Sequence, residues 1–96
     1  MAQSFRNQIN KNLMNDWRLQ GQEKYLMGVK LVWKKYKPSH RGWDHDHCEF
    51  CGLKFSLNGG DFDAGYATCD DYHWICKNCY EDFKVLFNWS VEIEPV

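Results

Sequence analysis

Hydrophobic positions in this chain fall into segments of different period. Phe5, Ile9, Leu13 and Trp17 recur every fourth residue, the spacing of a narrow apolar stripe on a helix. Asn7, Asn10, Asn12 and Asn15 weaken helix propensity there, so residues 1–20 read as a lead-in that is helical or partly disordered. Past Gly28 the period shortens: Val29, Leu31 and Trp33 alternate with Lys30 and Lys34. A helical face through Leu26, Val29, Trp33 and Tyr36 competes, but the interior glycine and β-branched residues favour a strand over Val29–Lys37, stopped by Pro38. Ser39 to Asp46 then reads as a polar loop.

Beyond Gly52, Leu53 to Leu57 and Phe62 to Thr68 predict short strands around the turn signal Asn58-Gly59-Gly60. Asp70-Asp71 marks a second turn, and His73-Trp74-Ile75 is an extended approach to Cys76. From Asn78 the period becomes helical, with Tyr80, Phe83 and Phe87 on one face. Asn78 is the expected N-cap, and Glu81 and Asp82 complement the dipole of the first turn. Trp89, Val91 and Ile93 alternate with Ser90, Glu92 and Glu94, a last strand ended by Pro95. Trp33, Phe55, Trp74, Phe83 and Phe87 are the expected core.

Two CxxC pairs add chemistry to this pattern. Cys48-Glu49-Phe50-Cys51 and Cys76-Lys77-Asn78-Cys79 supply four thiolates, the complete ligand set of a structural zinc site. A tight turn between cysteines three apart aims both sulfurs at one point, and two such turns leave no coordination position for substrate or water. The expected cofactor is therefore one structural Zn²⁺ held by Cys48, Cys51, Cys76 and Cys79. A chain of 96 residues has room for a single domain, here 1–96, with residues 44–90 as its zinc module. Structural zinc binds small peptides with about 10–16 kcal/mol, as much as a typical domain's whole stability. Loss of metal is expected to unfold at least the C-terminal half.

Five cysteines, an odd number, fit a reducing compartment better than a disulfide framework, with Cys69 as a small core residue or spare thiol. No apolar run near the N-terminus resembles a secretory signal and none reaches the length of a membrane span, so a cytoplasmic protein without membrane partners is expected. Charge is unevenly placed: residues 1–43 carry nine Lys or Arg against Asp16 and Glu23, a balance of +7, and residues 44–96 a balance of −8. Four thiolates on one zinc add −2 to the acidic half, which makes that half a poor partner for phosphates.

A CxxCG turn, a hairpin region and a second CxxC whose last cysteine opens a helix together resemble a treble clef, from Cys48 to about Trp89. The resemblance implies a small α+β, zinc-ribbon-like module with a zinc knuckle at Cys48 and Cys51, a β-hairpin, and a C-terminal helix carrying Cys76 and Cys79, joined by an N-terminal strand. Trp43-Asp44-His45-Asp46-His47-Cys48-Glu49-Phe50-Cys51 with Trp74-Ile75-Cys76 and Tyr80-Glu81-Asp82-Phe83 is also similar to small uncharacterised bacterial zinc-binding proteins, a likeness that implies no activity. Treble clefs serve binding and nuclease roles alike, so fold does not select among them.

HNH nucleases are treble-clef enzymes with a catalytic histidine, and Asp44-His45 and Asp46-His47 invite that comparison. In those enzymes the histidine lies between knuckle and helix; here the pairs precede the knuckle, His73 lacks a flanking acid, and Cys79 to Phe87 holds no histidine. The residues therefore fit better as polar groups that steady the backbone or the thiolates, and no enzyme activity is expected. His45 as a ligand in place of a cysteine, and a second metal site from His45, His47, Cys69 and His73, are weaker alternatives. Lys30, Lys34, Lys35, Lys37 and Arg41 interleave with Trp33, Tyr36 and Trp43, a stretch that would suit single-stranded nucleic acid. Strand alternation favours the plainer expectation that the lysines are solvated and the aromatics buried. The leading expectation is a non-catalytic zinc protein whose partner is another protein, with nucleic-acid binding through residues 29–43 as the alternative and an HNH-like metal-dependent nuclease at Asp44–His47 as a weaker one.

Overall fold

The computed structural model describes residues 16–93 of the chain. The elements are α1 (Glu23–Leu26), β1 (Lys30–Lys35), β2 (His45–His47), β3 (Lys54–Ser56), β4 (Ala64–Ala67), β5 (Trp74–Ile75), α2 (Lys77–Phe87) and β6 (Ser90–Ile93). The fold is α+β. The stripe of Phe5, Ile9 and Leu13 lies outside the described residues.

A four-stranded sheet runs in the order β5-β4-β1-β6, and β2 and β3 form a separate antiparallel pair. β1 is antiparallel to β4 and parallel to β6, so the chain returns to the far side of β1 after α2. The pairing register places Trp33, Tyr66 and Ile75 in one row and Val32, Ala67 and Trp74 in the next, hence on opposite faces. Helix α2 covers the first face, where Tyr80 stacks on Tyr66 with ring centroids 3.8 Å apart. On the second face Phe55, from β3, lies over Gly65 and against Trp74.

Four of the five expected core residues, Phe55, Trp74, Phe83 and Phe87, are buried. Trp33 is not: 41% of it is exposed, and it touches the edge of Tyr66. In the register it sits opposite Tyr66, whose ring face is taken by Tyr80 of the helix. The expected division of lysines from aromatics also fails at Lys34, whose ammonium is sheltered in an ion pair with Asp71. Asp71 adopts a positive φ of 62° in the turn before β5, an uncommon conformation that Asp tolerates better than most residues.

Two further expectations are corrected. Ser39 to Asp46 does not stay a loop to its end: His45–His47 pairs with Lys54–Ser56, a strand without apolar alternation that forms because the knuckle turn brings its partner alongside. Leu53 to Leu57 and Phe62 to Thr68 do contain β3 and β4, but β3 pairs with β2, and only an isolated bridge joins Phe55 to Phe62.

Candidate metal centre

The first cysteine pair occupies the turn between β2 and β3. Cys48 N–H donates to Leu53 O (2.8 Å) and Gly52 N–H to Cys48 O (3.0 Å), closing the knuckle. Gly52 has φ +80°, the left-handed conformation this reversal needs and glycine adopts without strain. Phe50, inside the CxxC loop, is buried against Phe83, Phe87 and Trp89, which seats the knuckle on the helix.

Cys76, rather than the expected Asn78, is the N-cap of α2. Its Sγ accepts the Cys79 N–H at 3.5 Å, so a sulfur replaces the usual capping oxygen. The helix ends at Asn88 in the left-handed conformation, with its N–H and that of Trp89 returned to Val85 O and Lys84 O. Backbone contacts lace the halves together: Cys48 bridges Trp74, Glu49 N–H donates to Trp74 O (2.9 Å), and Cys76 N–H donates to Cys48 Sγ (3.4 Å).

These elements bring all four sulfurs within 4.8 Å of one another, with Cys51 and Cys76 3.8 Å apart. A tetrahedron of sulfurs each about 2.3 Å from a metal has edges of about 3.8 Å, so the donor set fits an ion at its centre. Cys48, Cys76 and Cys79 are buried and Cys51 partly so. Hydrogen bonds from the Cys76 and Cys79 thiols hold the Cys48 thiol far below its ordinary range. The same contact with Cys48 pushes Cys76 up to about 11, and Cys79 upward as well. Such crowding favours one thiolate among thiols, and a divalent cation is what would let all four ionise together.

Arg18 is the functional neighbour that sequence reasoning missed. Its Nη1 lies 3.4 Å from Cys79 Sγ and 3.0 Å from Asp82 Oδ2, and its guanidinium sits over the Phe83 ring, 4.5 Å from the centroid. Asp16 holds the other edge at 2.7 Å, and that hydrogen bond lowers the Asp16 carboxyl to about 2. The partner cysteine is 61 residues away, so no local pattern marks this arginine. Gln22, also buried, donates to Arg18 O (2.8 Å) and Glu49 O (2.9 Å), tying the arginine's segment to the knuckle.

The remaining candidates are dispersed. His73 is bound to Glu49 Oε2 at 2.7 Å and packs on Tyr25; Cys69 is exposed. His45 and His47 lie side by side on β2, but a cluster with Cys69 and His73 does not form. Among the described residues, the four cysteines are the one group of three or more His, Cys, Asp or Glu side chains that converges in this way. No helix of the described residues is long and apolar enough to cross a membrane. No protein-family model, curated protein or solved structure matches the chain.

Proposed function

We propose that this is a non-catalytic structural-zinc protein of treble-clef architecture that serves as a small protein-interaction module. The observation that carries the reading is the closed donor set: four cysteine sulfurs within 4.8 Å of one another, anchored by a knuckle and a helix start. Cys48, Cys51, Cys76 and Cys79 would hold the ion, and its contribution is to neutralise the thiolates and fasten two chain segments. A knuckle between β2 and β3, the antiparallel β4–β5 pair, and a helix opening at Cys76 support the treble-clef part of this reading.

The interaction surface we favour is the groove of about 360 Å³ that Leu19, Glu23, Met27, Leu86 and Phe87 frame between α1 and α2. Met27, which lines the groove, exposes half of its surface, and Val85, on α2, exposes more. Nucleic-acid binding is the second reading, supported by exposed Trp33 beside Lys77.

Chelation should unfold the protein, read by loss of near-ultraviolet circular dichroism, and added zinc should restore it; a chain that stays folded without metal contradicts the structural role. Met27→Asp with Val85→Asp should abolish partner cross-linking in cells and leave zinc content unchanged, whereas Trp33→Ala should leave cross-linking intact. Salt-sensitive binding to single-stranded RNA or DNA that Trp33→Ala removes would favour the second reading instead.

A further inference from the structure

His45 and His47 occupy alternate positions of β2, so their side chains leave the same face of the strand. Their ring centroids are 5.1 Å apart. Two imidazoles bound through nitrogen at about 2.0–2.1 Å to one tetrahedral metal have centroids about 5 Å apart, so the spacing suits a shared ion. The hydrogen bonds matter more than the spacing. His45 Nδ1 lies 2.6 Å from Asp44 Oδ1, and His47 Nδ1 lies 3.0 Å from Gly52 O. A carboxylate and a carbonyl only accept, so in each neutral ring the proton sits on Nδ1 and the lone pair on Nε2. Metal-binding histidines are held in this way, with the distal nitrogen donating to a carboxylate or backbone carbonyl.

The strand beneath the pair is fixed. Asp46, between the two histidines, points to the other face and accepts from Tyr36 Oη (2.8 Å) and Trp43 Nε1 (3.0 Å). The surroundings are mixed in charge: Lys54 stands opposite His47 and opposes a cation, and the Asp44 carboxylate offsets it. Neither histidine is buried.

We propose that His45 and His47 form a second metal site, an open two-histidine site for a borderline divalent cation such as Ni²⁺, with its remaining positions filled by water or by donors of a bound ligand. It is separate from the cysteine centre in ligand type and in being open, and imidazole suits such ions.

The test uses the zinc-loaded full chain, titrated with Ni²⁺ by calorimetry. One further ion should bind, without the thiolate-to-nickel charge-transfer absorption that would place nickel at the cysteines. His45→Ala and His47→Ala should each weaken binding at least about tenfold, and Asp44→Ala about tenfold, the scale typical of such outer partners, with zinc content unchanged. Long-range proton–nitrogen NMR on the untitrated wild-type protein should report Nδ1–H tautomers for both rings, a readout that needs no variant to fold. Absence of a second ion, binding unchanged in the double histidine variant, nickel at the cysteines, or an Nε2–H tautomer in either ring overturns the proposal.

Discussion

Among single residues, the most consequential side chain is one that no motif or periodicity singles out. Arg18 touches Cys79 Sγ, Asp82 and the Phe83 ring at once, placing a positive charge beside a centre that would carry −2 when four thiolates bind one zinc. Arg18→Met keeps much of the packing and removes the charge and its donors. It should weaken zinc binding by about 10–100-fold, read by competition with a chromogenic chelator. An unchanged affinity would reduce Arg18 to a surface ion pair. Gly65 is constrained for a different reason: a Cβ there would lie 2.6 Å from the Phe55 ring, which is fully buried and has little freedom to move. Gly65→Ala should cost about 1–3 kcal/mol in denaturant unfolding, the range for overpacking a core.

Among the elements, the helix ending at Phe87 was legible because it buries one face and so keeps its period, and the strand over residues 29–37 because Gly28 and its β-branched residues disfavour helix. β1 and α2 lie where alternation and helical spacing place them. The failures have physical causes too. β2 is three polar residues whose pairing is set by the knuckle, so it carries no hydrophobic signal of its own. The helix begins at Lys77 because a cysteine sulfur caps it, a role hidden behind the more familiar Asn78. Phe50 joins the core from inside the CxxC loop, where ligand spacing drew attention away from packing. Trp89 ties several elements together: its indole donates to Leu26 O at 2.8 Å and its ring packs on Phe50, Tyr80 and Phe87. Trp89→Phe keeps an aromatic ring but leaves the Leu26 carbonyl without this donor. The expected loss is about 1–3 kcal/mol in chemical denaturation. No measurable loss would mean that water replaces the indole.

Across the molecule as a whole, the opposed charges of the two halves have an internal use. Arg18–Asp82, Lys30–Glu92, Lys34–Asp71 and Lys37–Asp71 all join the basic N-terminal half to the acidic C-terminal half. The Lys34–Asp71 pair is sheltered and the Lys30–Glu92 pair is largely exposed, so their energetic weights differ. Two distant chain segments also meet at the cysteines, where the knuckle packs against the helix start, and a bound zinc would fasten that junction. Zinc K-edge X-ray absorption on the purified full chain, normalised to protein concentration, is the sharpest check of that role. One zinc per chain surrounded by four sulfurs at about 2.3 Å, with no light-atom ligand, is the expected result. Nitrogen or oxygen bound directly to a single zinc, or protein that folds with none, would contradict it.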